Sequence, residues 1–309
     1  MGVLLALGSA ALYGVADFAG GLLSRRAGFA VVALLGQAGG LVLMATVAPV
    51  LPGEPTGAGL LWGGLSGVGT GLGMVFLYRG LSRGAMSVVV PVSAVGGLAI
   101  PVLVGIALLG DRPTVLAVTG MVLAVPALWL VSHRGRTESA GSLDALLASL
   151  GIALQYLALA QASPDAGLWP VLAGRVTATL AVLPIAWRSV ARTRAAERDP
   201  TSTASRNATS TAGRGHASTR RHGSVITARR VGPGTILGAV AVGGCATLAL
   251  VAYLLATREQ LLSIAVVLSS LYPAIPVLLG LTVLRERLNR AQLTGLVAAG
   301  VAIALLTLG

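Results

Sequence analysis

Two charged side chains sit where nearly everything around them is soluble in hydrocarbon. Asp17 lies in YGVADFAGG, and no other charged side chain precedes Arg25. Arg175 lies in AGLWPVLAGRVTATLAVLPIAW, six residues after Trp169. A carboxylate inside such a run is costly unless it is protonated, paired or hydrated. It can release and rebind a proton, or hold a cationic or polar ligand. An arginine so placed must face a cavity or a partner, and left unpaired it suits a carboxylate ligand. Asp17 is the only acid comparably deep in the apolar runs, so both are expected to face one water-filled cavity, as an ion pair or as separate contacts. Two plainer alternatives exist. Asp17 can reach toward Arg25 or Arg26, about 12 Å along a helix, or the pair can merely tie two parts of the chain together.

Neutral polar residues inside the apolar runs extend the candidate site: Tyr13, Gln37, Ser93, Gln155, Tyr156, Ser269, Ser270 and Tyr272. Hydrogen bonding between helices is the simplest role for most of them. Pro91, Pro101, Pro273 and Pro276 free backbone carbonyls and bend helices, which suits elements that line a cavity. Cys245 is the single cysteine, so neither an internal disulfide nor a zinc cluster follows. No nucleophile–base pair or catalytic carboxylate pair appears, so no enzyme, metal or cofactor is expected. The glycine-rich run GLSGVGTGLG has no following lysine and no preceding strand. Gly63, Gly67 and Gly71 instead have the four-residue spacing of close helix packing.

These residues must be carried by membrane-spanning helices. Only 10% of the 309 residues are charged and 55% are hydrophobic, with a mean hydropathy of +0.86. Soluble domains carry about 25% charged residues. Ten apolar runs follow one another, at 2–23, 28–51, 57–78, 85–109, 113–132, 143–161, 167–187, 234–256, 261–284 and 290–308. The four tryptophans, Trp62, Trp129, Trp169 and Trp187, fall near run ends, at headgroup level. The net charge of +12 does not point to nucleic acid, because the arginines lie between runs rather than on one face and aromatics are scarce. Residues 188–233 form one basic, Ser/Thr-rich insert without periodicity, expected to be disordered. Arg25, Arg26, Arg79, Arg83, Arg134, Arg136, Arg285, Arg287 and Arg290 occupy odd-numbered loops, whereas even-numbered loops hold only Arg112 and Arg258. The positive-inside rule then places the odd loops and the insert in the cytoplasm and both termini outside.

The chain also repeats itself. Ala99-Ile-Pro-Val-Leu103 recurs as Ala274-Ile-Pro-Val-Leu278, an offset of 276 − 101 = 175. At the same offset Gly105 matches Gly280, Asp111-Arg112 matches Glu286-Arg287, and Thr119-Gly120 matches Thr294-Gly295. More weakly, Leu5-Ala6 and Ala11-Leu12 match Leu147-Ala148 and Ala153-Leu154 at an offset of 142, with Gly36-Gln37 falling against Gly174-Arg175. A unit of five spans inverts its second copy, because an odd number of crossings ends on the other side. The expected fold is all-α and integral to the membrane, with ten transmembrane helices as two inverted five-helix repeats.

The segment SSLYPAIPVLLGLTVLRERLNRAQLTGLVAAGVAIALL, with its counterpart SAVGGLAIPVLVGIALLGDRPTVLAVTGMVLA, resembles the EamA branch of the drug/metabolite transporter superfamily. The resemblance covers the chain outside the insert, though Asp111 stands where the family's turn usually carries Glu. It implies one repeat over 1–134 and a second over 142–309, interrupted at 188–233. It implies a secondary transporter in the plasma membrane that moves a small metabolite or drug-like solute by alternating access. Export is favoured, with protons as one coupling ion and Asp17 as their carrier. Membrane lipid and a small-molecule substrate are the expected partners, and a homodimer is compatible. A lipid or lipid-linked sugar translocase and a non-transporting membrane subunit are the alternative readings.

Overall fold

The computed structural model describes residues 1–104, 114–132, 139–198, 232–259, 271–286 and 288–308. The described residues form helices and turns, with no strand among them. In chain order the α-helices are α1 (Gly2–Arg26), α2 (Phe29–Val47), α3 (Gly57–Arg83), α4 (Met86–Val104), α5 (Val115–Ser132), α6 (Ser139–Leu159), α7 (Trp169–Arg198), α8 (Pro233–Glu259), α9 (Ala274–Thr282) and α10 (Arg290–Leu308). Six of them, α1, α2, α3, α6, α7 and α8, contain stretches long and apolar enough to cross a membrane. Large apolar side chains point outward along the bundle, among them Leu4, Leu61, Val122, Leu180 and Leu237. Charged and polar side chains, including Asp17, Gln37, Asp144 and Arg175, are buried. The chain is an α-helical, multi-pass membrane protein.

Glycine and proline are poor helix formers in water. In lipid, a helix is the one local structure that satisfies its own backbone, and that constraint overrides propensity. Side chains mark where helices begin. Thr56 accepts from the Gly59 amide at 3.1 Å at the start of α3. Thr114 accepts from the Ala117 amide at 3.2 Å at the start of α5. At the start of α10, the Gln292 amide donates to Asn289 at 2.9 Å while the Asn289 amide donates to Gln292 at 3.1 Å, a reciprocal cap.

The apolar runs and the helices differ at several places: α2 stops at Val47, short of the expected 51, and α3 continues to Arg83, past the expected 78, so Arg79 and Arg83 lie in its last turns rather than in a loop. Residues 188–198 continue α7 rather than belonging to the insert, so the helix outlasts the apolar run that begins it. Pro91 and Pro101 lie within α4, but Pro273 is the N-cap of α9 and Pro276 stands in its first turn. A missing amide costs nothing there, so these two prolines start the described helix instead of bending it. Residues 105–109 of the expected fourth span, 261–270 of the ninth with Ser269 and Ser270, and residues 199–231 of the insert lie outside the described residues, as do Asp111, Arg112, Arg134, Arg136 and Arg287.

The helices pair across the chain. α3 packs on α6 and α7, α8 on α1 and α2, α4 on α6, α9 on α1, and α5 on α10. α2 meets α7, and α4 meets α9. Several crossings bring backbone onto backbone, α3 on α6 among them. A Cβ on Gly67 of α3 would overlap the Gly174 carbonyl of α7, and one on Gly243 of α8 would overlap the Gly36 carbonyl of α2.

The two ends of the bundle differ. One gathers Arg25, Arg79 and Arg83 with the two acids they pair to, Glu286 and Asp144. At the other, the Trp169 indole donates to the Gly53 carbonyl at 3.1 Å and the Glu54 amide to the Asp165 carbonyl at 3.2 Å. Gly53 and Gly167 touch there with φ of +138° and +55°, backbone that favours glycine.

Candidate functional site

Gly36 and Gly174 let α8 and α3 approach closely, and the next residues, Gln37 and Arg175, turn their side chains into the interior between α2 and α7. Gln37 is 1% exposed and Arg175 is 7% exposed. Arg175 Nη1 donates to Gln37 Oε1 at 3.1 Å. Beside the guanidinium lies a cavity of ≈ 20 Å³, lined by Ser66 and Thr70 of α3, Gln155 and Leu159 of α6, Val171 and Gly174 of α7, and Leu250 of α8. That is room for about one water among polar groups. Thr70 donates its hydroxyl to the Ser66 carbonyl at 3.0 Å, within its own helix.

Asp17 is 9% exposed. It makes no ion pair or hydrogen bond among the described residues, so the ion-pair form of the expected Asp17–Arg175 contact is not what the structure adopts. Nor does Asp17 pair with Arg25 or Arg26 at the end of its own helix. Arg25 instead donates to the Leu81 carbonyl at 2.9 Å and the Gly84 carbonyl at 3.0 Å, and pairs with Glu286 at 3.5 Å. Asp17 is therefore a carboxylate held deep in the bundle without a partner among the described residues.

Tyrosines stand near both charges. Tyr13 lies within electrostatic reach of Arg175, Asp17 and Tyr253. Tyr78 feels both Asp17 and Arg175. Tyr156 is within reach of Tyr13, Tyr253 and Asp17, and Tyr272 within reach of Tyr156, Asp17 and Tyr13. The rings of Tyr13 and Tyr272 are 6.1 Å apart at 56°, inside the range of favourable tilted pairs. All five tyrosines of the chain thus converge on one region. Tyr156 is 46% exposed.

Of the residues expected at a site, the structure brings together Asp17, Tyr13, Tyr156 and Tyr272 as one group, with Arg175, Gln37 and Gln155 beside it. Ser93 is not part of either group. It is buried and donates to the Val90 carbonyl at 3.0 Å in its own helix. Sequence reasoning missed Tyr78 and Tyr253, which stand near the ends of their apolar runs. A signal was present: 253 − 78 = 175, the offset of the internal repeat. Ser66 and Thr70 were hidden within the glycine-rich run of α3.

No family model matches the chain, and no curated protein matches it. One solved crystal structure superposes with a TM-score of 0.52 at 18% identity, covering 98% of this chain and 96% of that chain. At that identity the likeness concerns the fold alone.

Proposed function

We propose that this chain is a secondary transporter of the EamA type, built as ten spans in two inverted five-helix repeats. The observation that carries the reading is the interior site: among the described residues Asp17 has no partner and the Arg175 side chain bonds only to neutral Gln37, beside tyrosines from both halves. Structural charges in a membrane bundle are expected to neutralise each other. These leave their charge to the space between them, as a site for a polar solute requires.

The helix pairing supports the inverted repeat. Exchange α1 with α6, α2 with α7, α3 with α8, α4 with α9 and α5 with α10. The α3–α6 contact becomes α8–α1, α3–α7 becomes α8–α2, and α4–α6 becomes α9–α1, while α2–α7, α4–α9 and α5–α10 map onto themselves. The caps follow the same rule. Thr114 and Asn289 differ by 289 − 114 = 175, and α5 and α10 begin at Val115 and Arg290. Arg175 and Gln37 then meet where the halves meet, the usual place for substrate in such folds.

The reading assigns an anionic group of the solute to Arg175 and a proton or a polar or cationic group to Asp17. It places the arginine-bearing end in the cytoplasm and both termini outside. The test is metabolite profiling of the medium around cells that make the wild type, Asp17→Asn, or no protein. A compound that accumulates outside only with the wild type is the expected result and identifies the solute. Equal export by wild type and Asp17→Asn removes Asp17 from the mechanism. No difference among the three strains removes export.

A further inference from the structure

The two acids paired at the arginine-bearing end, the buried Asp144 and the partly buried Glu286, come from the second half of the chain, and both bind groups of the first half. Glu286 follows α9 and reaches the start of α4. Its carboxylate accepts from the Met86 amide at 2.9 Å, the Ser87 amide at 3.0 Å and the Ser87 hydroxyl at 2.7 Å. A helix N-terminus offers unsatisfied N–H groups and a partial positive charge, so a carboxylate placed there binds well. Arg25 pairs with the same carboxylate and with carbonyls at the end of α3, which gathers α1, α3, α4 and the α9 turn at one point. The turn that aims Glu286 has Arg285 at φ 54° and is closed by the Glu286 amide donating to the Gly280 carbonyl at 3.1 Å. A non-glycine residue holds that φ only when its surroundings over-determine it. Asp144 of α6 is 1% exposed and accepts from Arg79 Nε of α3 at 2.8 Å, with Arg83 at 3.6 Å. At the opposite end the halves meet through the neutral Trp169–Gly53 and Glu54–Asp165 hydrogen bonds, and the described residues hold no ion pair there.

We infer that Glu286 and Asp144 form an electrostatic clamp that shuts the arginine-bearing end, and that the structure is the conformer closed at that end. The inference rests on the alternating-access reading. Rocking one half against the other must part Glu286 from α4 and Asp144 from Arg79. Hydrogen bonds to an ionised group are stronger than neutral ones, so this end resists opening more than the other and the clamp sets the resting population.

The test is a distance measurement on purified full-length protein in a Cys245→Ala background. One pair of spin labels, at Arg26→Cys and Arg290→Cys, reports the clamped end. A second pair, at Glu54→Cys and Gln161→Cys, reports the other. Glu286→Gln and Asp144→Asn are each expected to raise the share of the longer distance at the clamped end by about tenfold, the size of one weakened bond to a charged group, with the opposite change at the other end. Unchanged distances with a lowered melting temperature would make both acids structural staples and overturn the clamp. The measurement needs no solute. A chain that exports nothing but opens on Glu286→Gln loses the transporter reading alone; one that exports yet keeps its distances loses the clamp alone.

Discussion

At the scale of residues, the interior charges make the sharpest predictions. Arg175→Lys keeps the charge but gives up the planar fork that can hold Gln37 and a ligand together. For the solute named by profiling, binding is expected to weaken by about tenfold or more, in line with roughly 1.5–3 kcal/mol for a hydrogen bond to a charged group. The ligand-induced shift in melting temperature measures it, and an unchanged shift would place the solute elsewhere. Asp17 and Arg175 were legible in the sequence because a charge inside an apolar run has no ordinary reason to be there. Tyr78 and Tyr253 were not, because a tyrosine near the end of a span also fits the headgroup belt. Asp144 read only as a charge near a run end and Glu286 as the acid of a repeated acid–Arg turn, since nothing local shows that a carboxylate will reach amides about 200 residues away.

At the scale of elements, the glycine crossings carry the packing. Gly67→Ala and Gly243→Ala each force α3 from α7, or α8 from α2, and overpacking of this kind costs about 1–3 kcal/mol. A lowered melting temperature in detergent is the expected result for each, whereas Gly8→Ala, with open space at its Cβ, serves as the silent control. Arg285→Gly should leave stability unchanged or raise it, because glycine accepts φ 54° without strain; a clear loss would show that the arginine side chain outweighs the backbone term. The starts of α5 and α10 matched their apolar runs within two residues because turn chemistry sits beside them. The far end of α7 did not, because hydropathy reports the thickness of the bilayer rather than the length of a helix. Residues 188–198 are polar and still helical, as a helix leaving the membrane into water can be.

At the scale of the whole molecule, the repeat at offset 175 was readable in the α4–α5 and α9–α10 region, where identical residues recur. It was faint between α1–α2 and α6–α7, where helix pairing rather than residue identity supports the proposed repeat. Replacing residues 199–231 with a glycine–serine linker of equal length is expected to leave export and melting temperature unchanged; loss of activity with retained stability would favour the reading as a non-transporting membrane subunit, with the insert as its docking element. One consequence lies in the bond between Arg175 and Gln37. Two identical subunits meeting on a symmetry axis must present the same residue from both sides. Two arginines there would repel each other in a medium that screens poorly, and two glutamines would offer no charge. In the proposed inverted repeat, a single chain that carries both halves escapes this rule. It can set one cation where the halves meet, with a neutral neighbour to hold it in place.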